Sequence, residues 1–276
     1  MLTTLAQMFS HTFILRAVVV GVLVSLCAAL LGVSLVLKRY SMIGDGLSHV
    51  GFGALAIAAV LGAAPLSIAA PIVVLSAFLV LRISENSKIR GDAAIAMIST
   101  GSLAVGVFIM SLRPGLNTDI HSFMFGSILA MSQSDVIMSA VLAAIVLILF
   151  VLFYHRIFAV TYDETFARAT GVNAGLYKML LAFLTAVTIV IGMRLMGALL
   201  ISSLIIFPAI TSMRLCKRFK SVTLCSAAVS IICFIAGMIT SYGLETPTGA
   251  TIVIINILAF ILFAGVAGVR NSGFKA

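Results

Sequence analysis

The chain has 276 residues, of which 62% are hydrophobic and only 9% charged, and its mean hydropathy is +1.28. Soluble domains carry about a quarter charged residues, so this composition excludes a water-soluble globular protein. It predicts a single integral membrane domain over residues 1–276. The formal net charge of +9 could indicate nucleic-acid binding. The basic residues, however, lie where they would orient the chain in the membrane, so we expect no nucleic-acid partner.

Nine segments are long and apolar enough for helices that cross a bilayer, which needs about 20 residues. They are 13–37, 46–62, 65–82, 92–112, 134–154, 175–193, 195–213, 221–242 and 249–268. The segment 119–131 is apolar but too short, and is interpreted as a half-helix or an interfacial turn. The fold class is therefore all-α, a polytopic transmembrane bundle of about eight or nine spans. The first run lacks a basic n-region and a cleavage site, so we expect it to be retained as a span.

The basic residues fall unevenly between the two sets of alternating loops. One set holds Lys38, Arg39, Arg82, Lys88, Arg90, Arg156, Arg168, Lys178, Arg214, Lys217, Arg218, Lys220, Arg270 and Lys275, and the other holds Arg16, Arg113 and Arg194. Because basic short loops resist translocation, the larger set is predicted to be cytoplasmic. The N-terminus is then outside the cytoplasmic (inner) membrane of a bacterium and the C-terminus inside.

The four cysteines match neither a metal-ligand spacing nor a disulfide framework. We interpret Cys27, Cys216, Cys225 and Cys233 as small packing residues of apolar helices.

Asp45 and His49 are four residues apart at the start of the second predicted span. On a helix this spacing places both side chains on one face, which continues through Gly53 and Ala56. A carboxylate oxygen and an imidazole nitrogen suit zinc, manganese or ferrous iron. Ionisable residues within a span are costly and indicate function. Small residues on that face would admit another helix or a partner copy of the chain.

Two other interpretations of the pair remain open. Asp45 follows a glycine at a helix start and could cap the helix, and His49 could be an interior histidine with ordinary partners. If the pair does bind metal, a symmetric dimer would double it to two carboxylates and two imidazoles, enough for a four-ligand site.

Three polar residues lie in segments predicted to be outside. Asp119 and His121 are two apart, a spacing that brings them together only on an extended turn. Glu245 lies beside Pro247 in a predicted outer turn. We interpret all three mainly as loop residues, with a role where the ion enters or where another protein docks as the alternative.

The long cytoplasmic loop at 155–175 carries a short helix signal. Thr161 followed three residues later by Glu164 matches a capping box, and Gly171 is suited to a left-handed helix end. Asp163 and Glu164 lie at the positive end of the predicted helix dipole and Arg168 nearer its negative end. The sequence predicts a helix of about two turns over 163–170 that either docks on a soluble partner or rests at the membrane surface.

The seventh span combines Ser202, Ser203 and Pro208. Proline removes a backbone hydrogen bond, and the hydroxyls can bond freed backbone groups or reach a neighbouring helix.

No Walker phosphate loop occurs in the chain, so it is not expected to hydrolyse ATP by that route. The spans also lack the series of acidic residues typical of proton-driven pumps.

Five motifs together resemble the zinc/manganese/iron permeases of ABC transporters. The run from Leu37 to Gly53 resembles the family signature RRMSLIGDALSHA, although Gly46 stands where alanine is commoner. The other motifs are FMFGSILAMSQSD from Phe123, YDETFARATGVN from Tyr162, MGALLISSLIIFPAIT from Met196 and ETPTGATIVI from Glu245. They follow the family order over nearly the whole chain.

The resemblance implies the architecture of a type II ABC importer. Two permease chains, expected to be identical, would form the pore, two cytoplasmic ATP-binding subunits would drive it, and an external metal-binding protein would deliver the ion. Asp45 and His49 match the metal pair of the signature. The segment 161–171 resembles the coupling helix, which implies ATPase contact by its residues Asp163, Glu164, Phe166, Ala167, Arg168 and Gly171.

The serines of GALLISSLIIFPA look more like the zinc branch of the family than the manganese branch. Zinc is therefore the favoured cargo, with manganese or iron as alternatives and no permanently bound cofactor. Three other functions remain open: a type II permease for a metal chelate or cobalamin, a secondary metal carrier without an ATPase, and a membrane scaffold or sensor.

Overall fold

The computed structural model describes residues 12–63, 65–86, 91–112 and 133–272, and in this part of the chain every regular element is a helix. The helices are α1 Thr12–Leu37, α2 Ile43–Leu61, α3 Pro65–Asn86, α4 Gly91–Ser111, α5 Gln133–Leu152, α6 Tyr154–Tyr162, α7 Glu164–Ala169, α8 Ala174–Met196, α9 Ala198–Leu215, α10 Phe219–Leu244 and α11 Thr248–Ser272. The all-α prediction is confirmed.

Seven of these helices are long and apolar enough to cross a bilayer, namely α1, α2, α4, α8, α9, α10 and α11. Helices α5 and α6 would make an eighth span but are bent by 68° at their junction, and α3 contributes a shorter apolar stretch, Ser67–Ile83. The polytopic transmembrane bundle is therefore confirmed, with seven candidate spans in the described residues, or eight if the bent pair is one span, where eight or nine were predicted. The predicted half-helix at 119–131 lies outside the described residues.

The centre of the bundle is formed by α1, α2, α8 and α9. Helix α1 packs against α5, α8, α9 and α10, while α2 packs against α3, α4, α8 and α9. Leu31, Leu47 and Ile189 are among the largest fully buried side chains. Since lipid is as apolar as these side chains, the helices are held together by close packing more than by avoidance of solvent.

Glycines allow the backbones of α2 and α4 to approach closely. A Cβ added to Gly53 would lie 2.6 Å from the carbonyl oxygen of Ser102, and one added to Gly106 would lie 2.9 Å from the Gly53 Cα. The small face beyond His49 therefore admits a helix of the same chain at Gly53. The unusual Gly46 has the same explanation, because a Cβ there would lie 2.5 Å from Ile95 Cγ2.

Several basic connections meet at one end of the bundle. The Glu164 carboxylate lies 2.8 Å from Lys178 Nζ and 3.5 Å from Lys38 Nζ. The Tyr154 and Phe219 rings are 5.6 Å apart, and Phe219 follows the basic pair Lys217–Arg218. The connections before α2, around α7 and before α10 thus share one side, as the grouping of basic residues predicts.

We predict that Gly53→Ala destabilises the bundle whereas Gly101→Ala does not. The added methyl at Gly53 meets backbone that cannot rotate away, at a typical cost of about 1–3 kcal/mol for overpacking. A Cβ at Gly101 has nothing within 4 Å, and alanine there should stabilise the helix by about 0.5–1 kcal/mol. Thermal melting in detergent, followed by the helical circular dichroism signal, measures the melting temperatures of the two variants. Equal melting temperatures would contradict the close approach.

Candidate metal site and coupling helix

Helix α2 begins three residues earlier than predicted, and this places Asp45 inside the helix. The residue at its N-cap is Met42, and no side chain caps the helix. Asp45 therefore does not cap the helix, and the capping interpretation is wrong. It lies in the first turn, where the positive end of the helix dipole favours a carboxylate.

Asp45 and His49 share one face of α2, as the spacing predicts. The Asp45 Oδ2 and His49 Nε2 atoms are 3.7 Å apart, which is too long for a strong hydrogen bond. The Asp45 side chain is 48% exposed and that of His49 26%, although most of α2 is buried. Among the described residues His49 is therefore only partly buried, the polar ends of both side chains lie on one open side, and the interior-histidine interpretation stays an alternative.

Two serines join α2 to α9 beside this pair. Ser48 Oγ donates to the Gly44 carbonyl at 2.8 Å, and Ser202 Oγ donates to the Ala198 carbonyl at 3.0 Å. The two hydroxyl oxygens lie 3.4 Å apart. Either hydroxyl can donate across the helices, and the distance makes this a long hydrogen bond. The sequence analysis allowed the Ser202 hydroxyl to reach a neighbouring helix but did not connect it with Ser48.

Asp45 and His49 supply two ligands, and the described residues contain no cluster of three or more His, Cys, Asp or Glu side chains. Zinc in proteins usually has four ligands. A complete site on this face would need water or a second protein chain. Doubling of the pair in a symmetric dimer stays a prediction.

The segment after α5 differs from the prediction. Helix α6, nine residues long, replaces the predicted loop after 154, and Thr161 lies in it with a buried Oγ1 that has no hydrogen-bond partner. The capping-box assignment to Thr161 is therefore wrong. The N-cap of α7 is Asp163, whose extended backbone lets its carboxylate accept a hydrogen bond from the Phe166 amide at 3.0 Å.

Helix α7 has six residues, Glu164–Ala169, fewer than the predicted 163–170. Hydrogen bonds from the Phe166 amide and the Thr165 hydroxyl hold the pKa of the Asp163 carboxyl below its usual range. Gly171 has φ +82°, so the left-handed end of this segment is confirmed.

Two aromatic side chains are exposed on the outer surface of α7 and of the residues just before it. Phe166 is 64% exposed and Tyr162, on the other side of Asp163, is 79% exposed. Ala167 faces inward and packs with Val160 and Val172. The segment is thus anchored on one side and presents aromatic rings on the other.

Glu164 does not reach back to cap the helix, as a capping box would require, but binds basic residues. Its Oε1 accepts hydrogen bonds from Arg168 Nη2 at 2.7 Å and from Lys178 Nζ at 2.8 Å. Burial raises the pKa of the Glu164 carboxyl, but those two hydrogen bonds and the charges of Lys178 and Lys38 outweigh burial and hold the pKa at about 2.

Of the three outer candidates, only one falls in the described part of the chain. Asp119 and His121 lie outside the described residues. Glu245 is exposed and forms the left-handed end of α10, with φ +52°, so its predicted position in a turn is confirmed. A docking role for Glu245 stays a prediction.

Comparison with known proteins identifies close relatives over most of the chain. The "Probable metal transport system membrane protein" of Thermotoga maritima is 34% identical over 92% of this chain and 90% of its own length. The "Probable iron transport system membrane protein" of Haemophilus influenzae is 30% identical over 100% of this chain and 99% of its own. A "Manganese transport system membrane protein" of Halalkalibacterium halodurans is 28% identical over 93% of this chain and 88% of its own. A "High-affinity zinc uptake system membrane protein" of Haemophilus influenzae is also 28% identical, over 89% of this chain and 94% of its own.

The fold agrees with these relatives. The structure of PsaBC from Streptococcus pneumoniae in complex with Fab matches with a TM-score of 0.84 and 26% identity, covering 95% of this chain and 94% of that one. The model of the ABC 3 transport family matches residues 10–267. This chain therefore belongs to the ABC 3 transport family, the membrane permeases of metal ABC importers, in which separate subunits hydrolyse ATP.

Proposed function

We propose that this chain is the permease of a bacterial inner-membrane ABC importer for a divalent transition metal, with zinc as the favoured cargo. The observation that carries the proposal is the Asp45–His49 pair, which lies side by side on an otherwise buried helix and faces an open side of the chain. A mixed oxygen and nitrogen ligand set suits zinc, manganese and iron. Relatives named for these metals support the same class of cargo.

The incomplete ligand set favours two permease chains around one path. Two ligands per chain become four across a two-fold axis, and an ion held by exposed side chains can leave again. The exposed apolar residues of α4 and α11, such as Phe108 and Leu262, suit lipid or a second chain. The external metal-binding protein would dock at the end opposite α7, where Glu245 lies.

The aromatic surface around α7 supports docking of an ATPase. An exposed phenylalanine and tyrosine beside charged groups are typical anchors of protein interfaces. The positive-inside rule places this end of the bundle in the cytoplasm, with the N-terminus outside and the C-terminus inside. ATP-driven closure of two ATPases would then move α7, and with it the spans.

Two features oppose the alternative functions. A permease for a metal chelate or cobalamin needs a wide path but no free ligand pair, so Asp45 and His49 favour an ion. A secondary carrier or a scaffold needs no docking helix, so the anchored α7 with its exposed aromatic residues favours an ATP-driven importer.

We expect Asp45→Ala and His49→Ala each to reduce zinc uptake at least about ten-fold, because each removes a direct ligand. The measurement is radioactive zinc uptake in vesicles with the ATPase and binding protein supplied. Met42→Leu is the control, because Met42 is exposed at the same end of α2 and leucine has nearly the same volume as methionine. Full uptake by both ligand variants would overturn the site. Faster uptake of manganese than zinc by the parent would overturn the choice of metal alone.

We also expect Phe166→Ala to weaken ATPase binding by about 2 kcal/mol, the loss typical of an interface anchor, or roughly thirty-fold in Kd. Binding of the ATPase to permease in lipid nanodiscs measures the change. Leu244→Ala, at the opposite end of the bundle and 66% exposed, should bind like the parent. Unchanged affinity of Phe166→Ala would place the docking surface elsewhere.

A further inference from the structure

The Glu164 carboxylate connects three separate parts of the bundle. Its hydrogen bond with Arg168 stays within α7. Its hydrogen bond with Lys178 reaches the first turns of α8, and its Oε2 lies 3.5 Å from the ammonium group of Lys38, just after α1. One side chain of α7 is therefore tied both to α8 and to the connection that leads into α2.

The two lysines are held in place by burial. The side chains of Lys178 and Lys38 are only 8% and 11% exposed, whereas that of Arg168 is 63% exposed. An ammonium group with so little access to water depends on a negative partner far more than an exposed one does. The pairs with Lys178 and Lys38 therefore hold α7 against its neighbours. The pair with Arg168 lies within α7 and is exposed, so it contributes little to that attachment.

The carboxylate stays charged under any assay condition. Because the pKa of Glu164 is about 2 instead of 4.5, its contribution to stability is complete above pH 4.5 and is lost only as the pH falls towards 2. The charge of Glu164 is therefore constant at physiological pH, so the contact between α7 and the lysines is not a pH switch.

The connection from Lys38 to α2 is short and internally bonded. Lys38 N donates to the Ser34 carbonyl, Tyr40 N to the Leu35 carbonyl, and Ile43 N to the Tyr40 carbonyl. A slack loop would absorb a displacement, but a turn in which four of the six residues 38–43 donate backbone hydrogen bonds passes it on. Asp45 follows only two residues after α2 begins.

We propose that Glu164, Lys38 and Lys178 form an ionic joint that passes movement of α7 to the start of α2, and hence to the Asp45–His49 pair. This inference rests on the proposed docking of an ATPase at α7. Lys38 and Lys178 act as positioning residues, because neither contacts the ion. The joint explains why a carboxylate beside an exposed aromatic residue turns inward to two buried lysines.

The test is the amount of zinc transported per ATP hydrolysed by the full complex in nanodisc-derived vesicles. We expect Lys38→Met and Lys178→Met to lower this ratio about three- to thirty-fold, the range for disrupted coupling between sites, while ATPase binding persists. Lys38→Arg should restore most of the ratio, since it keeps the charge. Lys220→Met is the control, because Lys220 is an exposed lysine at the same end of the bundle, and it should match the parent.

The outcomes separate the joint from the function on which it rests. A parent complex that neither binds an ATPase nor transports metal would overturn the proposed function itself. A parent that transports, with an unchanged ratio in both methionine variants, would overturn the joint alone. A fall in ratio matched by a lower melting temperature and not rescued by Lys38→Arg would indicate a purely structural clamp, which also contradicts the joint.

Hydrogen exchange of the parent complex gives a second test that needs no variant to assemble. Addition of ATP should change the exchange of amides in α7 and, together with them, those of residues 38–45. A response of α7 without any change at residues 38–45 would overturn the joint.

Discussion

The packing of α2 is the constraint on which the rest of the structure depends. This helix is enclosed by α3, α4, α8 and α9, and glycines at the α4 contact let the two backbones nearly touch. Along its first turns, the side that bears Asp45 and His49 stays partly exposed in the described part of the chain. Enclosure of the opposite sides fixes the direction in which these two side chains point, and under the proposed function the open side gives an ion access to them.

The few carboxylates of this basic chain have opposite surroundings. Glu164 is surrounded by three cations, so its charge is used within the protein. Asp45 Oδ2 lies 3.7 Å from His49 Nε2, too far for a strong hydrogen bond. The carboxylate of Glu164 is thus engaged within the protein, whereas under the proposed function that of Asp45 is left to bind an ion.

Much of the fold followed from the sequence because hydropathy and helical spacing act locally. The long apolar runs specified the spans, and the four-residue spacing of Asp45 and His49 specified their shared face. Helix α6 was not predicted, because its nine residues are too few for a span and no proline or glycine marks the 68° bend that separates it from α5. Thr161 fitted the capping spacing, but Asp163 has the extended backbone that a cap requires. The ligand pair alone does not select the metal, because one carboxylate and one imidazole suit several ions, and the preference for zinc rests instead on the serines of the seventh predicted span.

The ion cluster around Glu164 lay beyond sequence reasoning for a different reason. Glu164 and Lys178 lie 14 residues apart on consecutive helices, but Lys38 is distant in the chain, and the packing of α1 against α8 brings it to the same carboxylate. That cluster lies at the same end of α2 as the ligand pair, since Asp45 is about 3 Å and His49 about 9 Å along the helix axis from its first residue. Across this end, the hydroxyl oxygens of Ser48 and Ser202 make a long contact of 3.4 Å between α2 and α9. A Cβ added to Gly44 would meet the side chain of Ile205 on α9 at 3.1 Å, whereas one added to Gly53 would meet backbone of α4. The α4 boundary of α2 is therefore fixed by backbone, and the α9 boundary beside the candidate ligands by side chains, which have alternative rotamers.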